Sequence, residues 1–381
     1  MPQLLNNNKA LNKFRNKMIL TENNAPQYES TGQNCLDLFS HIGTYRNGYT
    51  RALLNNFNEA FKENPLVAAK ILFWVRAARI GGGERAVFHT IMKEIIKDSP
   101  KFIEDNAELL AQLGYWKDLY EYFDNREVQN VIADAINSKD RLACKWAPRK
   151  GPHAKRLRSL LNTTNKKYRQ WLKENSETVE QQMSDEQWND IKYQSVPGQA
   201  MRKYRKAYGK HDGDRFQEWK LDDTKASVSA SYPHDVIKLI CNADWMDVFL
   251  DDADFDLAEK QWKNLPDYIK EGENILPMID VSGSMTGLPM LIAVSLGLYL
   301  SEHNKGSFKD TFLTFSGSPE LIRLVEATLK ERISRVVQAD WGMNTNFEKA
   351  YRAILDNAVS FNVPQSAMPT MLLVLSDMQF D

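Results

Sequence analysis

The stretch I-L-P-M-I-D-V-S-G-S-M, residues 275–285, decides the fold of the C-terminal part of this chain. Its apolar first half predicts a buried strand, and the pattern D-x-S-x-S follows at once with Asp280, Ser282 and Ser284. Open α/β sheets bind ligands at the carboxyl ends of their strands, where these oxygens would lie. A carboxylate and two hydroxyls suit a small divalent cation such as Mg²⁺. A turn followed by a helix N-cap favours the same residue types, so both interpretations stay open on this motif alone.

The sequence beyond this motif alternates between helix and strand patterns. The predicted elements are, in order, helix 290–300, strand 309–315, helix 347–359 and strand 370–375. Such alternation is typical of a parallel sheet with helices on both faces. Two of the predicted strands end in an aspartate, Asp280 and Asp377, and a polar loop containing Thr345 lies between them in the sequence.

This order of residues resembles the von Willebrand factor A domain and its metal-ion-dependent adhesion site. The resemblance implies that Ser282, Ser284 and Thr345 coordinate the metal directly, whereas Asp280 and Asp377 act mainly through bound water. It also implies an open position for an acidic group of a protein partner. Asn344 or Asn346 could take the place of Thr345. Because the family's fold continues beyond its fourth strand, we expect a Rossmann-like domain over 273–381 that is truncated at its C-terminal end.

The chain before residue 273 carries helix patterns instead of the alternation typical of strands. Leu53, Phe57, Ala60 and Phe61 fall on one helical face, and further apolar helices are predicted at 66–80, 87–96 and 128–136. A succession of helices with short polar links predicts an α-solenoid over 31–272. Residues 1–30 are polar and rich in Asn, which predicts a poorly ordered N-terminal segment.

Three motifs in the helical part resemble segments of the Ro (TROVE) ribonucleoproteins and of an uncharacterised sister family. They are W-V-R-A-A-R-I-G-G-G-E-R at 74–85, L-G-Y-W-K-D-L at 113–119 and V-P-G-Q-A-M at 196–201. Ala78 stands where the first motif usually has Asp. These families place HEAT-like helices in a ring or horseshoe ahead of a von Willebrand A domain. The resemblance therefore implies a TROVE-like helical repeat domain that binds small structured or misfolded RNA.

Basic side chains are concentrated in two clusters, although the whole chain has a net charge of only −1. Residues 141–170 contain ten basic and no acidic residues, and 202–210 contain five more. Basic side chains neutralise phosphates, and interleaved aromatic rings can stack on bases, which together predict an RNA-binding surface. The acidic stretch 174–190 could instead fold back onto these charges. The candidate RNA-binding residues are Lys145, Trp146, Arg149, Lys150, Arg156, Arg158, Lys166, Lys167, Arg169, Arg202, Lys203, Arg205 and Lys206.

The remaining composition favours a cytoplasmic protein. No apolar stretch is long enough for a signal peptide or a membrane span, so we expect no membrane role. Cys35, Cys144 and Cys241 are odd in number and widely spaced, which is typical of reduced thiols. No nucleophile–base pair is legible, so we expect no enzyme activity. We expect an RNA-binding scaffold of Ro type with a divalent-metal adhesion site, or alternatively a metal-dependent protein–protein interaction module without an RNA role.

Overall fold

The computed structural model describes residues 18–20, 26–28, 30–48, 50–78, 80–228, 231–242, 249–270, 272–339 and 347–376. The chain divides into two compact units, whose main segments are Gln27–Asp190 and Ile191–Asp381. Strands β1 (Met18–Leu20) and β2 (Pro26–Tyr28) form a small two-stranded sheet near the N-terminus. Most of the predicted N-terminal segment 1–30 lies outside the described residues.

The first unit is built from helices, most of which pack on the next helix in the chain. They are α1 (Asn34–His41), α2 (Thr50–Glu63), α3 (Pro65–Arg76), α4 (Arg85–Asp98), α5 (Lys101–Leu113), α6 (Trp116–Leu119), α7 (Arg126–Asn137), α8 (Arg141–Trp146), α9 (Gly151–Leu160), α10 (Asn165–Ser176) and α11 (Val179–Ser184). The expectation of a helical N-terminal part is confirmed. In α2 the predicted apolar face is buried at Leu53, Phe57 and Ala60, whereas Phe61 is exposed.

Helix α3 is shorter than its predicted range of 66–80, and both of its ends have a local cause. At the start, the side chain of Asn64 accepts a hydrogen bond from the N–H of Val67 (3.1 Å), and proline occupies the first helical position. At the end, the N–H of Ala78 donates to the carbonyl of Leu113 (2.9 Å) instead of continuing the helix. A long-range backbone contact therefore ends the helix before the apolar pattern does.

A buried ion pair ties together the sequence motifs at 74–85 and 113–119. The carboxylate of Asp118 accepts hydrogen bonds from Nε of Arg76 and from Nε of Arg85, each at 2.8 Å. Asp118 and Arg76 are 0% and 1% exposed. Nε2 of His89 lies 3.1 Å from the same carboxylate, and the N–H of Tyr115 donates to it at 2.8 Å. The spacing of these residues in sequence did not indicate that they share one partner.

The second unit combines further helices with a four-stranded sheet. Its helices are α12 (Gly198–His211), α13 (Gly213–Leu221), α14 (Pro233–Ile237), α15 (Phe255–Lys263), α16 (Leu288–His303), α17 (Leu329–Val337) and α18 (Phe347–Ser360). Its strands are β3 (Ile275–Ile279), β4 (Thr311–Thr314), β5 (Leu321–Arg323) and β6 (Met371–Leu375). The change from helices to sheet at Ile275 thus falls inside this unit, and α14 packs directly on α16.

The sheet is mixed, with strand order β5-β4-β3-β6. Strand β3 runs parallel to both β4 and β6, as the alternation of helices and strands predicts. Strand β5 is antiparallel to β4, so the expectation of an entirely parallel sheet is wrong at this edge. Three residues are too few to show a periodic pattern, and the tight connection through Ser316 and Gly317 places β5 beside β4.

Helices cover both faces of the sheet, and the register of the strands aligns their carboxyl ends. On one face Leu276 and Met278 pack with Ala350 and Ile354 of α18. On the other face Gly297 of α16 lies so close to Ile279 that a β-carbon there would overlap its side chain. Ile279 pairs with Leu375 in register, and the N–H of Asp280 donates to the carbonyl of Leu375 (3.0 Å). The residues that follow β3 and β6 are therefore neighbours.

Candidate metal centre and basic surface

The Asp280 side chain is fixed at the carboxyl end of β3. It is 0% exposed, and one carboxylate oxygen accepts a hydrogen bond from the N–H of Ser282 (2.8 Å). The other accepts one from the hydroxyl of Ser376, just beyond β6 (2.5 Å). Ser376 was not among the predicted site residues, although its position directly after an apolar strand was a usable signal. These bonds hold the carboxylate in one orientation beneath the turn.

The two serines of the turn bring their hydroxyls together. Oγ of Ser282 lies 3.1 Å from Oγ of Ser284, on a short 3₁₀ turn over Gly283–Met285. Two adjacent ligands of an octahedral Mg²⁺ ion, each about 2.1 Å from the metal, are separated by about 3.0 Å. The spacing of the hydroxyls and the carboxylate beneath them therefore fit a small cation that prefers oxygen ligands.

The other proposed ligands cannot be placed. Thr345 and Asp377 lie outside the described residues, as do the alternatives Asn344 and Asn346. In the described part of the chain, no group of three or more His, Cys, Asp or Glu side chains could hold a metal ion. Within the described residues, the serine hydroxyls and Asp280 are therefore the predicted ligands that can be assessed.

The basic run at 141–170 is only partly neutralised by the acidic stretch that follows it. Lys145 pairs with Glu180 (3.3 Å), and Arg141 approaches the carboxylate of Glu177 (3.8 Å). The stretch 174–190 thus folds back onto the run, as the alternative interpretation held. Its carboxylates reach only the first two cations of the run, Arg141 and Lys145, among the described residues. Within the described residues, the other eight cations of the run have no carboxylate within 4 Å.

Those eight cations differ in how free their side chains are. Arg149 donates to the carbonyl of Lys145 (3.1 Å), Arg156 to the amide of Gln129 (2.8 Å) and Arg158 to Asn165 (3.2 Å). Arg158 is half-buried, and Arg149 is exposed but bonded to two backbone carbonyls. The other six are exposed, and Arg156 among them keeps its one bond to Gln129. We call these six the basic surface: Lys150, Lys155, Arg156, Lys166, Lys167 and Arg169.

The second basic cluster is less available than its sequence indicates. Arg202 is largely buried and donates to Ser231 (3.1 Å) and to Gln261 (3.0 Å), so its guanidinium is less accessible than the sequence pattern indicates. Burial lowers the pKa of this arginine, while Asp235 opposes that shift. Arg205 and Lys206 both pair with Asp252, at 3.3 Å and 2.6 Å. Lys203 is exposed.

The interleaved aromatic residues fall into two kinds. Tyr168 is buried and its hydroxyl donates to the carbonyl of Pro148 (3.1 Å), so its ring supports the core. Trp146 and Trp171 are half-buried. Ammonium groups lie over both rings, with Lys117 at 4.0 Å from the centroid of Trp146 and Lys139 at 5.4 Å from that of Trp171. In the described structure of the first basic run, the two tryptophans therefore offer ring surface beside the cations.

Comparison with known proteins finds similarity over most of the chain. A family model described as a domain of unknown function, DUF2828, matches residues 21–126 and 122–275. A second, the domain of unknown function DUF7788, matches residues 274–381. The "Uncharacterized protein L728" of Acanthamoeba polyphaga mimivirus is 25% identical over 433 aligned positions, which cover 96% of this chain and 73% of that protein. No solved structure matches. In the described part of the chain, no helix is long and apolar enough to cross a membrane.

Proposed function

Since this chain belongs to the DUF2828 family, whose domain is of unknown function, we propose a role argued from its own residues: it is an RNA-binding scaffold. In this proposal the basic surface holds small structured or misfolded RNA through its phosphates. The observation that carries the proposal is the set of six exposed cations that face no carboxylate among the described residues. The resemblance of the motifs at 74–85 and 113–119 to Ro ribonucleoproteins supports it.

Charge placement also argues against a merely solvated surface. Mixed-sign surfaces pair their lysines with nearby acids, as α4 and α5 do through Lys97 with Glu94 and Lys101 with Asp105. The basic surface shows no such pairs in the described structure, so its like charges repel one another when no ligand is bound. A polyanion would relieve this repulsion and release its own counterions.

Charge reversal tests the proposal. We expect the triple change Lys150→Glu, Lys166→Glu and Lys167→Glu to abolish binding of a labelled small structured RNA in fluorescence anisotropy. The matched control reverses three exposed cations elsewhere in the same unit, Arg51, Lys70 and Arg126, and so changes the net charge equally. The wild-type affinity should fall steeply with salt, because each neutralised phosphate contributes to the slope. Equal losses in both triple variants would refute a localised RNA surface.

A second candidate function is metal-dependent capture of an acidic protein group, and the hydroxyl pair at Ser282 and Ser284 favours it. When bound, a divalent metal would supply an open coordination position for a partner's carboxylate. Asp280 would orient the turn, and the two serines would hold the ion. Isothermal titration with Mg²⁺ and Mn²⁺ measures the metal binding on which this function depends. EDTA distinguishes this function from RNA binding, because it should leave the basic surface's affinity for RNA unchanged.

A further inference from the structure

A small cleft in the first unit lies beside the basic surface. It is about 230 Å³ in volume and is lined by Asn137, Leu161, Thr163, Lys167, Tyr168 and Trp171. These residues come from the end of α7, the link between α9 and α10, and α10 itself. The cleft is smaller than the roughly 300–1,000 Å³ of sites for drug-sized ligands, so its occupant must be a small group.

The aromatic wall of this cleft is held rigidly. The indole Nε1 of Trp171 donates to the carbonyl of Ile136 (3.0 Å), and the hydroxyl of Tyr168 donates to Pro148. Since both polar tips are bonded inside the protein, the rings present apolar surface to the cleft. A rigid ring loses little conformational entropy when a flat ligand stacks on it.

The rim of the cleft has a different chemistry from its wall. Asn137 and Thr163 offer a side-chain amide and a hydroxyl for which the described structure shows no hydrogen bond. Lys167 and Lys139 are exposed, and Lys139 lies over the Trp171 ring. The acidic side chain on the next turn of α10, Glu174, accepts from Gln170 (2.8 Å). The apolar walls match the face of a nucleobase, and the hydrogen-bonding rim matches its edge. The cations at the mouth match the phosphates of the same nucleotide chain.

We propose that this cleft binds one unstacked nucleobase of a single-stranded segment of RNA, with Trp171 as the stacking platform. Asn137 and Thr163 contact the edge of the base, and Lys139 and Lys167 contact the flanking phosphates. The inference rests on the RNA-binding function proposed above and adds to it a preference for unpaired nucleotides. A fully paired duplex keeps its bases stacked and cannot insert one without paying for unstacking.

The test separates base contacts from charge contacts. Fluorescence anisotropy is measured with a labelled single-stranded RNA of ten nucleotides, and inorganic polyphosphate serves as a polyanion without bases. The variants are Trp171→Leu, which removes the ring, and Thr163→Leu, which fills the rim while keeping the ring. Trp74→Leu, at a half-exposed tryptophan of α3, is the matched control (39% exposed).

We expect Trp171→Leu to weaken RNA binding about 5- to 150-fold, the equivalent of one stacked base at 1–3 kcal/mol. Thr163→Leu should weaken it in the same direction, and neither change should alter competition by polyphosphate. Equal losses for RNA and polyphosphate would overturn the proposal, as would wild-type RNA affinity in both variants. If RNA binding also survives the triple charge reversal, or is absent in the wild type, the RNA-binding function itself fails.

Discussion

Replacing Asp118 by alanine should destabilise the first unit strongly, because four donors converge on this one carboxylate. Nε of Arg76 and Nε of Arg85 lie 2.8 Å from it, the N–H of Tyr115 donates at 2.8 Å, and His89 lies at 3.1 Å. Alanine would leave the guanidinium of Arg76, which is 1% exposed, as a buried charge without its counter-ion.

The magnitude follows from that uncompensated charge. Removing one partner of a buried ion pair costs about 3–5 kcal/mol. In a unit of this size each kcal/mol lowers the melting temperature by about 2–4 °C, so the loss corresponds to roughly 6–20 °C. Asp118→Asn keeps the shape and some hydrogen bonds, and it should cost less, about 1.5–3 kcal/mol for the lost charge.

The same carboxylate should make the stability depend on pH. Burial opposes its ionisation, but the hydrogen bonds from His89, Tyr115 and Arg85 and the charge of Arg76 outweigh burial and hold the pKa of Asp118 well below its usual range. A depressed pKa contributes stability that is present above the unfolded-state value, near 3.9, and is lost as the pH falls below it. Asp118→Asn should therefore flatten the acid side of the stability curve.

Urea unfolding followed by circular dichroism provides the measurement, with Asp105→Ala as the control. Asp105 is an exposed carboxylate that pairs with Lys101 along α5, and its loss should cost no more than about 0.5 kcal/mol. A loss below about 1 kcal/mol for Asp118→Ala, or an unchanged acid limb for Asp118→Asn, would refute the reasoning that this pair is the electrostatic centre of the unit.

Three further outcomes follow from the second unit. Replacing Ser282 and Ser284 together by alanine should abolish Mg²⁺ binding in isothermal titration. The melting temperature should not fall, since both hydroxyls lie at the surface of the turn. A double variant that binds Mg²⁺ as tightly as wild type would refute the proposed metal site. Gly297→Ala should destabilise the protein by about 1–3 kcal/mol, because the added methyl group would overlap the sheet. Gly209→Ala, in open space on α12, should be neutral or stabilising by up to about 1 kcal/mol. Thermal melts that rank the two variants in the opposite order would contradict this packing. Burial raises the pKa of the Cys241 thiol to about 12, so Ellman's reagent at pH 8 should label this thiol only after unfolding. Rapid labelling of Cys241 in the native chain would contradict this prediction.

The elements with a long apolar pattern were predicted well from the sequence. Strand β3, helix α16 and strand β6 lie within a few residues of their predicted ranges, because each is a largely apolar run whose length suits one element type: 5 residues for each strand and 16 for the helix. Strand β5 was missed, since three residues carry no period and only the pairing with β4 makes them a strand. Helix α3 was predicted too long because its end is set by a backbone bond to Leu113, far away in the sequence.

The candidate sites divide in the same way. The D-x-S-x-S motif is local, so the sequence could identify Asp280 and the two serines together. Ser376 reaches Asp280 only through the pairing of β3 with β6, which joins residues almost a hundred positions apart. The prediction for Thr345 and Asp377 stays a prediction, because both lie outside the described residues.

Composition and periodicity by themselves determined which segments are helical, where the α/β part begins and where positive charge accumulates, because each of these depends on residues close together in the chain. Only the tertiary structure decided which of these charged side chains lie at the surface. Arg202 and Lys203 are adjacent in the sequence, yet Arg202 points among Ser231 and Gln261 while Lys203 is exposed. The physical reason is that burial and pairing are set by contacts between distant segments, and the identity of a basic residue does not specify them.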